Sequence, residues 1–162
     1  MAEPGGKVVS VRHMPETASG DRLHTDLVLD STLASVDRGE AIVIEAAQSL
    51  GFDGDTQQDI GIAIRESLVN AVAHGNRYHA RKKVRFRVWT SPAALTVEIE
   101  DEGRGFEPDA VPDPLEGGNV MKHSGRGLLM IRAYMDEVDY QRAGDTGTRV
   151  RLMKRVPPAA AG

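Results

Sequence analysis

The sequence contains no cysteine, which excludes a disulfide framework and any thiolate metal site. Its five histidines are scattered and none forms an HExxH-type pair, so the helical zinc-protease pattern is missing as well. No apolar run approaches the roughly 20 residues that a membrane-spanning helix needs. Met1 to Gly6 has no basic flank leading into an apolar core, and a soluble cytoplasmic protein is expected. Positive charge is not in excess either: the formal net charge is −4, which argues against holding nucleic acid mainly by neutralising phosphates. The local basic stretch of Arg81, Lys82, Lys83, Arg85 and Arg87 alternates with Val84, Phe86 and Val88. That alternation reads as a strand with its charged face in solvent. No internal repeat is visible.

What is present fits one domain, since 162 residues suffice for one well-cored unit and are too few for two. Residues 1–20 and 156–162 are rich in Gly, Pro and small residues and are expected to be flexible, leaving 21–155 as the folded part. Leu23, Leu27 and Leu29 suggest an edge strand. Asp30-Ser31 then offers an N-cap for a helix that reaches Leu50 and stops at Gly51. Asp55 is expected to cap a second helix, in which Ile60, Ile64, Leu68, Ala71 and Val72 recur near a 3.6-residue period up to His74-Gly75-Asn76. Val84 to Trp89 and Leu95 to Ile99 alternate as strands about a Ser91-Pro92 turn, with Trp89 packing on the sheet. From Gly103 to Gly127 the periodicity fades, which predicts a long loop with a lid at about 106–124. Leu128 to Tyr134 reads as a third helix after a glycine-rich turn. Val138 to Arg142 and Arg149 to Lys154, joined by Gly144 to Gly147, read as a hairpin. Met121, Met130 and Met135 read as lid and core fillers. This order predicts an α+β fold, a two-layer sandwich with helices on one face of a mostly antiparallel sheet.

Three features carry chemistry. Glu66 and Asn70 are four apart on the second helix and so share a face. A carboxamide oxygen there can ligate Mg²⁺, and a carboxylate beside it can take a proton from an attacking group. Asp101, Gly103 and Gly105 follow an apolar strand: a carboxylate at a strand end can accept from an exocyclic amine such as that of adenine, while glycines let the backbone approach the ring. Ser124, Gly125, Arg126 and Gly127 open a helix, where unpaired N–H groups and the helix dipole favour phosphates. Each feature alone is equally consistent with helix surface, an acidic turn or a loop-to-helix turn. His74, one turn after Asn70, reads as a helix-end histidine facing the dipole or phosphates rather than a metal ligand.

Taken in order, the chain resembles the GHKL ATP-binding superfamily: an Asn-bearing helix, a strand ending in DxGxGF, a lid, a GxG opening a helix, and a strand with Gly147-Thr148. From Ile60 to about Lys154 it looks like the anti-sigma factor serine/threonine kinase branch, on GIAIRESLVNAVAHGN, VEIEDEGRGFEP, SGRGLLMIRAYMDEVDY and GTRVRL. The resemblance implies a Bergerat-type (histidine-kinase-like ATPase) sandwich that binds Mg-ATP. In it Asn70 would ligate Mg²⁺, Glu66 would be the general base, and Asp101 would read adenine. Gly103 and Gly105 would shape the base pocket, Gly125 and Gly127 would line the triphosphate, and Thr148 would add a hydrogen bond near the adenine. Where the branch often has an arginine before the Ser-Gly of the turn, this sequence has His123, with Lys122 before it and Arg126 after. Those three are therefore the cationic groups expected near the γ-phosphate. Kinases of this branch phosphorylate a serine on a small anti-sigma factor antagonist and, as homodimers, sequester a sigma factor, so neither nucleic acid nor membrane is an expected partner. Two further readings fit the motifs: a nucleotide-binding partner switch with little or no transfer, and a stand-alone histidine-kinase ATP-binding domain. The last lacks a dimerisation helix bearing His13 or His24.

Overall fold

A computed structural model describes residues 20–103 and 123–158, with side chains from 126 onward in the second stretch. Five strands, β1 (Arg22–Asp30), β2 (Lys83–Thr90), β3 (Ala94–Glu100), β4 (Glu137–Ala143) and β5 (Gly147–Arg155), form one sheet in the order β1-β2-β3-β5-β4. Every neighbouring pair is antiparallel. Three helices, α1 (Leu33–Ser49), α2 (Gly54–Val69) and α3 (His123–Tyr134), complete an α+β two-layer sandwich.

Alternation in the strands puts one apolar row under the helices. Leu27, Phe86, Ile99, Val150 and Tyr140 stand opposite one another across all five strands. Phe86, Ile99, Val150 and Tyr140 of that row are buried. Val36 and Val43 of α1, Ile60, Ile64 and Leu68 of α2, and Leu128 and Ile131 of α3 close the core from the other layer. Phe86 sits at its centre, where truncation to alanine typically costs about 3–5 kcal/mol. Arg85 and Arg87 alternate outward with Val84, Phe86 and Val88 inward, so the basic stretch is the solvent side of β2. Met135 is a core filler, while Met121 lies outside the described residues. Trp89 is half-buried on the face away from the helices, under the guanidiniums of Arg87 and Arg151.

Several boundaries differ from the sequence expectation. The N-cap of α1 is Thr32, whose hydroxyl accepts from Ser35 N–H at 3.2 Å. Ser31, expected there with Asp30, instead donates its hydroxyl to Lys82 C=O. Asp53 rather than Asp55 caps α2, accepting from Thr56 N–H at 2.7 Å. Gly51 ends α1 as expected: with φ at 88° it lets Gly51 N–H reach Gln48 C=O and Phe52 N–H reach Ala47 C=O, a Schellman motif. α3 starts at His123, so Gly125 and Gly127 lie inside its first turns and residues 123 and 124, placed in the lid, are helical. The rest of the lid lies outside the described residues, as do residues 1–19 and 159–162 of the ends expected to be flexible, while Val156 N–H is bonded to Ala93 C=O at 2.8 Å.

The largest departure is at the end of α2. Residues Asn70–Gly75 form a π-helical segment, closed by Asn76 N–H to Ala71 C=O at 2.8 Å, five residues back. Arg77 and Tyr78 then both take positive φ, 51° and 58°, and turn the chain out of the helix. Left-handed backbone at two consecutive non-glycine residues costs on the order of 1–2 kcal/mol each. Tyr78 N–H to Val72 C=O, 2.9 Å, offsets part of that cost. π segments occur frequently where a helix serves a site.

Candidate functional site

Asp101 continues β3 past its last strand residue, with its N–H bonded to Thr148 C=O at 2.9 Å. Its carboxylate turns inward and is 7% exposed. One oxygen, Oδ1, accepts Gly103 N–H at 2.9 Å and Thr148 N–H at 3.3 Å. Among the described residues the other, Oδ2, receives no hydrogen bond. Backbone packs closely around this turn: a Cβ on Gly75 would lie 2.5 Å from Oδ2, one on Gly103 would lie 2.0 Å from Gly75 C=O, and one on Gly147 would lie 2.1 Å from Asp101 C=O. Three close approaches that exclude any side chain thus build a cradle around the Asp101 turn, and the one at Gly75 faces the carboxylate itself. Burial raises the Asp101 pKa to about 6, against the lowering effect of the Gly103 and Thr148 N–H groups.

Glu66 and Asn70, one turn apart at the end of α2 and the start of the π segment, are both half-buried. α3 crosses them so closely that a Cβ on Gly127 would lie 2.8 Å from Glu66 Oε1. The first turns of α3 therefore run beside the Glu66 carboxylate. The π segment spans the interval from Asn70 to Gly75, and so links this group to the Asp101 cradle.

Residues 29–154 match the family described as "Histidine kinase-like ATPase domain". The chain belongs to this family. It is similar to the anti-sigma F factor of Clostridium botulinum (strain Eklund 17B / Type B), 28% identical over 103 residues, which cover 62% of this chain and 72% of that protein. It is also similar to the serine-protein kinase RsbW of Halalkalibacterium halodurans, 27% identical over 114 residues, 67% of this chain and 68% of the relative. A crystal structure of the RsbU and RsbW domains of Rv1364c from Mycobacterium tuberculosis shares the fold, with a TM-score of 0.56 at 22% identity. That match covers 81% of this chain and spans 31% of the other.

In this histidine kinase-like ATPase domain, the fold brings Asp101, Gly103 and Thr148 into direct contact, and Glu66 and Gly127 into another. Asn70 sits on the π segment between them, Arg126 is exposed on α3, and the backbones of His123 and Gly125 lie in the first turn of α3. Gly105 and Lys122 lie outside the described residues. His74 is exposed at the last turn of the π segment. Among the described residues no three His, Asp or Glu side chains gather as a metal cluster. Asn70 presents a carboxamide oxygen, a hard ligand of the kind that Mg²⁺ accepts beside phosphates and water. Gly75 was legible as a stop signal and Gly147 as part of a turn and of the Gly147-Thr148 element, yet each also walls the Asp101 carboxyl or its carbonyl. Their nearest sequence cue is position, directly after His74 and directly before Thr148. Asn76, read as part of the same stop, is buried beside them.

Proposed function

We propose that this domain, taken as residues 21–155, is an Mg-ATP-dependent serine kinase. In this reading it phosphorylates a small anti-sigma factor antagonist and, as a homodimer, sequesters a sigma factor or a similar regulator. The observation that carries the reading is the Asp101 carboxylate, buried and glycine-walled, with one oxygen tied to backbone and the other open. An open buried acceptor suits an exocyclic amine. The names of the relatives, anti-sigma F factor and serine-protein kinase, support the choice of partner and of reaction.

Asp101 Oδ2 accepts the adenine amine, and Thr148 adds a hydrogen bond beside it. Gly103 and Gly105 leave room for the ring. Gly125 and Gly127 present the α3 N-terminus to the triphosphate, with Lys122, His123 and Arg126 as the nearby cationic groups. Asn70 supplies an oxygen to magnesium, which neutralises phosphate charge when bound. Glu66 takes the proton of the substrate serine as its oxygen bonds to the γ-phosphorus; the bond from that phosphorus to the ADP oxygen breaks and ADP leaves. Incubation with Mg-ATP and candidate antagonist proteins, followed by mass measurement, tests this: one serine should gain one phosphoryl group. His123, standing where an arginine fork would hold the γ-phosphate, favours a second reading in which nucleotide and partner bind without transfer. Nucleotide binding with no phosphorylated product would select it.

A further inference from the structure

Asn76 is 1% exposed at the foot of the π segment, and its side chain makes three hydrogen bonds, two as donor and one as acceptor. Its Nδ2 donates to Ser31 Oγ at 2.9 Å and to Lys83 C=O at 3.0 Å, tying the approach to α1 and the start of β2 together. Its Oδ1 accepts Glu102 N–H at 2.8 Å. Among the described residues, that last bond is the hydrogen bond that joins the π segment and its cap to the Asp101–Gly103 turn. The two backbones also meet at Gly75 and Gly103, where a Cβ on Gly103 would lie 2.0 Å from Gly75 C=O. Glu102 is held from a second side by Lys83 N–H on its carboxylate, 2.8 Å, which anchors the turn to β2 and not to the π segment.

We infer that Asn76 is a positioning residue that fixes the Asp101–Gly103 turn against the π segment, and thereby sets the preference of the site for adenine over guanine. The preference rests on the ATP-site reading; the fixing of the turn does not. Guanine presents a carbonyl where adenine presents an amine, so discrimination depends on Asp101 Oδ2 being held at one place, and a turn free to shift would lose it.

The donor and acceptor arms of Asn76 separate by substitution. Asn76→Asp keeps an acceptor for Glu102 N–H and loses the donors to Ser31 and Lys83; Asn76→Leu loses both arms. Amide exchange of the unliganded protein and ATP and GTP titrations read the result. In Asn76→Leu the Glu102 and Gly103 amides should exchange at least about tenfold faster relative to those of Ile64 and Val97, and the ATP-over-GTP preference should fall by about tenfold, the equivalent of one lost hydrogen bond. Asn76→Asp should be less stable than wild type yet stay within about threefold of it in both readouts. Should Asn76→Leu not fold, Asn76→Ser, too short to reach Glu102, takes its place with the same thresholds. Unchanged relative exchange at Glu102 and Gly103 overturns the inference, as does an Asn76→Asp protein as indiscriminate as Asn76→Leu. A wild type that binds neither nucleotide sinks the ATP-site reading, while the exchange rates still decide whether Asn76 positions the turn.

Discussion

Glu98 and Asp101 stand three residues apart at the end of β3, both buried, and the molecule surrounds them in opposite ways. Glu98 points away from the helices, between Arg87 and Arg151, and each of its oxygens meets a guanidinium. The two arginines in turn lie over Trp89, 5.5 and 6.0 Å from its ring centre. Asp101 points the other way: among the described residues no cation contacts its carboxylate, Lys82 acts on it only from a distance, and two backbone N–H groups meet one oxygen. A carboxylate closed on all sides belongs to the scaffold; one buried with an oxygen that accepts nothing among the described residues fits the proposed role of ligand acceptor. Glu66, half-buried against Gly127 with no ion pair among the described residues, sorts with Asp101.

If that sorting is right, the three acids fail differently. Glu66→Ala should cut phosphoryl transfer by about 10²–10⁴, the usual worth of a positioned general base, with ATP affinity held within a few-fold. Equal turnover of an antagonist by wild type and variant would remove Glu66 from the chemistry. Glu98→Ala should lower unfolding free energy by about 3 kcal/mol, because it strands two arginines, and should leave ATP affinity alone. Urea unfolding beside calorimetry checks both halves, and a clear loss of ATP affinity would break the comparison.

Asp101→Asn should do the reverse. ATP binding should weaken by about 1.5–3 kcal/mol, the value of a charge-assisted hydrogen bond in a site, while the unliganded protein should be at least as stable as wild type at pH 7. Gly75→Ala, which puts a methyl group against Oδ2, should weaken ATP in the same direction. An Asp101→Asn protein that binds ATP normally would show the open oxygen to be idle.

The smallest effect expected is with pH. Burial raises the Asp101 pKa from 3.8 to about 6, so the folded state holds that proton more tightly than the unfolded chain does. The charged carboxylate therefore costs stability above about pH 6, and its contribution improves as pH falls from there toward 3.8. ATP affinity should move the other way, declining as pH falls through about 6 and the acceptor is protonated. The stability gap between Asp101→Asn and wild type should close over the same interval. A gap that stays constant from pH 7 to 4 would place the titration elsewhere.

The strands were readable because each reports its own burial by alternation: Val84, Phe86 and Val88 needed no knowledge of β3 to be assigned inward. Gly51 was readable for a similar reason, since a helix end that requires positive φ names its residue. The caps were less so. Asp30, Ser31 and Thr32 are all capable caps, and what removes Ser31 is a hydrogen bond to Lys82, fifty-one positions away. NAVAHG reads as ordinary helix because a change from α to π closure is made by backbone, with no side chain to announce it. The cradle was hidden for a third reason: Gly75, Gly103 and Gly147 are distant in sequence, and only the meeting of β3, β5 and the π segment shows that each faces the same carboxyl residue or its neighbour.

The π segment also makes the interval from Glu66 to Gly75 a tuned length. A regular helix advances about 100° per residue, and a closure five residues back absorbs one residue more than an α turn would. Glu66 and Asn70 are thus in one angular phase, and Gly75 and Asn76 arrive a step late, where Asp101 and Glu102 meet them. Exchanging the side chain of Ala73 leaves that phase untouched. Returning this stretch to α closure at unchanged length would swing Gly75 and Asn76 by about 100° from the carboxylate. Along this stretch the backbone closure, more than the letters, sets where the chain arrives.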